Sequence, residues 1–279
     1  MAARPLVLVP GACLGGWAWQ EVARLLRRAG HDVYPVTLTG LGDRAHLAGP
    51  AVDLDTHVTD IVNLLDYERL DRAVLVGHSY AGTVVTAVAD RRPERLDTVV
   101  YLDTGPLPDG TAIVDVQSPA QRELQQSTLA DGWLWPVPDR QTLETGIFGS
   151  VAGLTDADFQ LLADRGTPHP FATFTQPVRL NAGPDPRIRR AAILCSDGGM
   201  SLAAVRALIA AGDPRAATFA ADDWELRELP TGHWSMLSLP EPLAALLHEL
   251  AAPAGRGQHE KPDGTPPDPL TTAARLTPN

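Results

Sequence analysis

The chain is poor in several things that would each point somewhere. It has one lysine, Lys261, among its 23 basic residues, and a formal net charge of −11. With no basic stripe to displace the counterions of a phosphate backbone, a nucleic-acid partner is excluded as an expectation. No apolar run approaches the eighteen or so residues that span a bilayer, so no membrane partner is expected. The opening stretch MAARPLVLVP is too short for a secretory h-region and lacks a cleavage site, which points to a cytoplasmic protein. There are only two cysteines, Cys13 and Cys195, each at the end of an apolar run and read as a free structural thiol. No Cys/His spacing suits zinc, and neither G-x-G-x-x-G nor a phosphate loop's G-K-[ST] occurs, so neither a metal nor a nucleotide is expected.

What is present is an alternation. Short apolar runs at Pro5–Val9, Asp32–Val36, Ala73–Val76 and Thr98–Leu102 alternate with helical patterns at Trp17–Arg28, Thr56–Asp66 and Ser79–Asp90. Only helical crossovers join parallel neighbours, so the rhythm predicts an α/β fold: a mostly parallel, doubly wound sheet covered on both faces. It stops after Asp103 and resumes with strands at Ala191–Cys195 and Glu225–Leu229 and helices at Ser201–Ala211 and Pro240–Ala251, giving about six strands. A structureless loop of that length is improbable in a compact domain, so residues 104–180 are read as an inserted helical cap. One domain is expected over 1–252. The tail 253–279, with six prolines and three glycines, cannot offset the entropy of ordering and is expected to be disordered.

The chemistry centres on Val74-Leu75-Val76-Gly77-His78-Ser79-Tyr80-Ala81-Gly82, a buried strand running into a helix with a serine at the corner. A nucleophile elbow turns so sharply that the positions two before and two after the serine must be small, and Gly77 and Ala81 comply. The alternative is an ordinary serine helix cap. A serine hydroxyl needs a base within reach and an acid to fix that base's tautomer. Of the downstream histidines, His259 lies in the tail, His248 is mid-helix and His169 falls in the insertion. His233, in Thr231-Gly232-His233-Trp234 between the last strand and the last helix, is the candidate base. Asp197, just past a strand and before two glycines, is the favoured acid; Asp103, ending the strand after the nucleophile helix, is the alternative. The amides of Ala12, in the Gly-rich loop Pro10–Gly16, and of Tyr80 are the candidate oxyanion donors.

Five segments then combine: VPGACLGGWAW from Val9, TLTGLGDRAHL from Thr37, VLVGHSYAG from Val74, VVYLDTGPLPDG from Val99 and GHWSMLSLPEPLA from Gly232. In order and spacing they resemble the bacterial branch of the α/β-hydrolase family that includes plant methyl esterases and hydroxynitrile lyases, over residues 4–252. The resemblance implies a cofactor-free enzyme with a small cap over an apolar pocket, hydrolysing small aromatic or acyl esters. Many relatives have His-Gly where this chain has Pro10-Gly11. The lyases carry a threonine and, after the catalytic histidine, a lysine, where this chain has Gly11 and Trp234; without that positive charge to stabilise departing cyanide, the esterase is favoured.

The expected pocket wall is Gly11, Trp17, Tyr80, Trp133, Trp135, Phe171, Phe174 and Trp234, although aromatics serve core packing equally well. The partner is a small-molecule ester, on a monomer or homodimer. Two other readings stay open: non-hydrolytic, lactone or C–C chemistry on the same scaffold, and a ligand-binding protein with a vestigial triad.

Overall fold

The computed structural model describes residues 4–198, 201–221 and 223–252; the expected disordered tail lies outside them. Six parallel strands form the main sheet in the order β2-β1-β3-β4-β7-β8: β1 (Leu6–Val9), β2 (Val33–Pro35), β3 (Ala73–His78), β4 (Leu96–Leu102), β7 (Arg189–Cys195) and β8 (Trp224–Leu229). The crossovers are helical, with α1 (Gln20–Arg28), α2 (Leu54–Tyr67), α3 (Ala81–Arg91) and α9 (Leu202–Ala210) between strands, and α10 (Ser235–Ser238) and α11 (Pro240–Ala251) after the last.

Side chains of a strand alternate between faces, so each central strand feeds two cores. Leu6, Leu8, Val74, Val76 and Ile193 pack with α1 and α11 on one face. Val7, Val9, Leu75 and Val99 pack with α2 and α3 on the other. All six residues of β3 are buried, the continuous apolar run expected of a strand covered on both sides.

Two helix starts differ from expectation for identifiable reasons. Helix α2 begins at Leu54 because Asp53 caps it, its carboxylate accepting from Thr56 N at 2.9 Å while Thr56 returns its hydroxyl to Asp53. Helix α3 begins at Ala81, not Ser79, because Ser79 is left-handed with φ +53°.

Between β4 and β7 the chain leaves the sheet for short helices α4 (Ile113–Val116), α5 (Pro119–Ser127), α6 (Arg140–Glu144), α7 (Asp156–Arg165) and α8 (Ala172–Thr175). A two-residue antiparallel pair, β5 (Leu134–Trp135) and β6 (His169–Pro170), ties the insertion together. No helix among the described residues is long and apolar enough to cross a membrane.

Candidate active site

Because the six strands are parallel, their carboxyl ends lie along one edge, where the loops after β1, β3, β4, β7 and β8 meet. Strand β3 delivers Ser79. The positive φ throws its side chain outward, and the amide is held by Leu102 O at 3.1 Å. The turn leaves no room for a side chain before it: a Cβ on Gly77 would stand 2.7 Å from Ala81 O and 2.8 Å from Val85. Beyond the serine, the more constrained position is Gly82, whose Cβ would meet Thr104 Oγ1 at 2.6 Å, so the methyl of Ala81 is accommodated.

Strand β8 delivers His233, which is fixed at three points. Its amide donates to Ser150 O at 2.7 Å, its carbonyl accepts from His78 Nε2 at 2.9 Å, and its Nδ1 donates to Asp103 Oδ2 at 2.6 Å. A carboxylate on Nδ1 leaves Nε2 as the free lone pair, the tautomer a general base needs. Asp103 is itself oriented: it is left-handed at φ +49°, its amide donates to Ile193 O at 2.8 Å, and Oδ1 accepts from Cys195 N at 3.2 Å.

The carboxylate on the histidine is therefore Asp103, and the preference for Asp197 is corrected. β4 is paired directly with the nucleophile strand, and the left-handed residue at its end aims the carboxylate across the edge. Asp197 sits in a 3₁₀ turn past β7, its amide on Thr231 O at 3.1 Å and its side chain exposed. Among the described residues the amides of Ala12 and Tyr80 have no acceptor, the state required of groups that await an oxyanion.

Ser79, His233 and Asp103 line a cavity of about 240 Å³ together with Ala12, Tyr80 and His78. Its wall includes Trp135, Phe174 and Trp234, as expected. Four expected wall residues lie elsewhere. Gly11 lies behind the elbow, where a Cβ would be 2.7 Å from His78 Nδ1. Trp17 stacks with the Arg165 guanidinium at 5.2 Å. Trp133 immediately precedes β5, its carbonyl accepting from Phe171 N at 2.7 Å, and Phe171 stacks behind Phe174 at 5.9 Å. The unforeseen part of the wall comes from the insertion: Leu107, Ile113, Gln117, Gln125 and Phe148, with Val116, 59% exposed, at the mouth. Nothing in their periodicity separates lining from core.

Three histidines in and around this edge are buried and held neutral. Burial pushes His57 down to about 4 and His78 and His169 well below the ordinary imidazole range. The thiols are likewise inert: burial raises Cys13, and Cys195 is pushed up to about 12.

Comparison with known proteins identifies the family. A family model described as "Alpha/beta hydrolase family" matches residues 6–246. A carbendazim hydrolyzing esterase of Nocardioides sp. (strain SG-4G) is 33% identical over 249 residues, 88% of this chain and 98% of the relative. Salicylic acid-binding protein 2 of Nicotiana tabacum is 30% identical over 129 residues, 46% of this chain and 48% of that protein. Among solved structures, an extracellular alpha/beta-hydrolase from a Paenibacillus species superposes with a TM-score of 0.71 at 18% identity, covering 91% of this chain and 100% of that one; this likeness is one of fold. The chain belongs to the alpha/beta hydrolase family.

Proposed function

We propose that this carboxylic ester hydrolase works through an acyl-enzyme formed on Ser79, with His233 as general base and acid, Asp103 as its orienting carboxylate and the amides of Ala12 and Tyr80 as oxyanion donors. The observation that carries the proposal is the 2.6 Å hydrogen bond from His233 Nδ1 to Asp103 Oδ2, at the edge of the cavity that Ser79 also lines. His233 Nε2 takes the hydroxyl proton as Ser79 Oγ bonds to the ester carbonyl carbon, and the two amides hold the resulting O⁻. Collapse breaks the ester C–O bond, and the alcohol leaves with the proton from His233. Water then repeats the sequence and releases the acid. Asp103 stays ionised and stabilises the imidazolium formed at each step.

The aromatic share of the wall, Trp135, Phe174 and Trp234, supports a small apolar or aromatic ester as substrate. A cytoplasmic location belongs to the same proposal, supported by two free, buried thiols. Turnover of p-nitrophenyl butyrate by wild type beside Ser79→Ala, with fluorophosphonate labelling of both, tests it. Wild type is expected to turn over and to label, and Ser79→Ala to lose on the order of 10³-fold or more in kcat and not to label. No wild-type turnover and no labelling would overturn the proposal.

A further inference from the structure

Two buried histidines lie beside the expected oxyanion donors: His57 is bonded to the Tyr80 hydroxyl, and His169 to the amide of Cys13, the residue after Ala12. His169, wholly buried on β6 of the insertion, accepts from the amide of Cys13 on Nδ1 at 3.1 Å. Its tautomer is set from the other side. Thr173 Oγ1 gives its own proton to Pro170 O at 2.8 Å and so accepts from His169 Nε2 at 2.9 Å. Cys13 is left-handed, φ +63°, and its carbonyl accepts from Thr167 N at 3.0 Å. Both polar groups of the residue after Ala12 are thus tied to the insertion, in a conformation an L residue adopts only when its surroundings impose it.

The second donor is held in the same manner. The Tyr80 hydroxyl donates to His57 Nδ1 at 2.7 Å, because His57 Nε2 faces the Thr39 carbonyl at 2.8 Å and must carry the ring proton. The histidine rings lie edge-on to each other at 5.7 Å, and Tyr80 packs edge-on against His169 at 4.7 Å. Phe174 closes the group at 5.0 Å from His169. His57 and His169 are wholly buried, and each of their ring nitrogens has one partner.

Resting on the reading of Ala12 and Tyr80 as oxyanion donors, we infer that His169 and His57 are positioning residues of the oxyanion hole: His169 sets the Ala12–Cys13 turn from the insertion, and His57 sets Tyr80 from α2. Neither transfers a proton. Each supplies a fixed acceptor without which a backbone amide or a phenol would be left buried and unpaired, a loss the turn would relieve by moving. Such movement weakens binding of the tetrahedral O⁻ and leaves ground-state binding of the ester nearly untouched, so it lowers kcat and not 1/KM.

Two polar replacements of similar size separate positioning from packing. His169→Asn keeps an acceptor at the δ position facing Cys13 N; His169→Gln keeps a donor at the ε position facing Thr173 and lacks the δ acceptor. The readouts are thermal midpoint, kcat and KM for p-nitrophenyl butyrate, and inhibition by an aryl trifluoromethyl ketone, which adds Ser79 Oγ to its carbonyl and places an O⁻ in the hole. His169→Gln is expected to lose about 10- to 100-fold in kcat, with KM within about 3-fold, and to lose ketone affinity in the same ratio as kcat/KM; His169→Asn is expected within about 3-fold of wild type on all three. A folded His169→Gln with wild-type kcat would overturn the inference. So would equal losses in both variants, since packing alone then explains them. Tyr80→Phe, which removes the hydroxyl and keeps the amide, is expected to lower kcat several-fold at unchanged KM, and unchanged kcat there would overturn the His57 half. Wild type that neither turns over nor labels would instead be the failure of the catalytic reading itself.

Discussion

The edge of the sheet and the insertion above it divide the site unequally. The reacting groups Ser79, Asp103 and His233 all hang from strands of the main sheet, on turns whose conformation follows from where β3, β4 and β8 end. Much of what holds those turns comes from the insertion: Ser150 O and Ala152 O take the amides of His233 and Gly232, and Thr167 and His169 grip Cys13. The sheet supplies chemistry and direction, and the insertion supplies restraint. A segment that could pass for a lid is half of the frame.

The sharpest way to break that division is at its strongest member. If Asp103 at the end of β4 orients His233, Asp103→Asn should lower kcat by about 10³- to 10⁴-fold, because an amide on Nδ1 favours the wrong tautomer. Asp197→Asn, exposed and off the histidine, should remain within about 3-fold of wild type in the same p-nitrophenyl butyrate assay. The reverse ranking would return the acid to β7.

A substitution in the insertion alone should also reach the histidine. Gly149 is at φ +120°, and a Cβ there would stand 2.6 Å from both Cβ and Cγ of His233. Gly149→Ala is expected to displace the ring and cost on the order of 10² in kcat. Gly132→Ala is the control: it is also in the insertion and at positive φ, +74°, but its Cβ would meet nothing within 4 Å. It should lower the thermal midpoint by backbone strain and spare kcat. Equal kcat losses would mean that the insertion acts through general looseness and not through contact.

The same contrast explains how much was legible beforehand. Strands β1, β3, β4 and β7 announce themselves as apolar runs, and Ser79 and His233 are identifiable because a strand end fixes where a residue emerges. The choice between Asp103 and Asp197 is not legible, since both follow strands that end at the same edge, and what separates them is a left-handed φ at Asp103, a conformation aspartate tolerates better than most residues but which that tolerance cannot assign to one of two aspartates. In the insertion, two-residue strands and four-residue helices are too short for any period to register. His169 is set aside as a base because it falls in the insertion, and its value lies in a bond to Cys13, 156 residues away, which no local pattern signals. Trp17 and Trp133 failed as wall residues for the complementary reason: an aromatic side chain carries no mark of whether it faces a cavity or a neighbour.

The smallest effect per unit change concerns acid. His57, His78 and His169 cluster where the edge meets the insertion, and each is neutral in the folded protein. For His57 the folded value is about 4 against 6.5 for a free imidazole. Above pH 6.5 neither state binds the proton and nothing is lost. Between 6.5 and 4 the unfolded chain takes up a proton that the folded state refuses, so unfolding stability falls with falling pH, by at most about 1.4 kcal/mol per pH unit for each such histidine. Urea unfolding at pH 7, 6 and 5 should therefore show a steep decline, and His169→Asn, which removes one titrating ring and keeps its acceptor, should flatten the slope by up to one proton's worth. Wild-type and variant slopes that coincide would mean that His169 takes up its proton while still folded, and the seam between sheet and insertion would then open under acid before the domain unfolds.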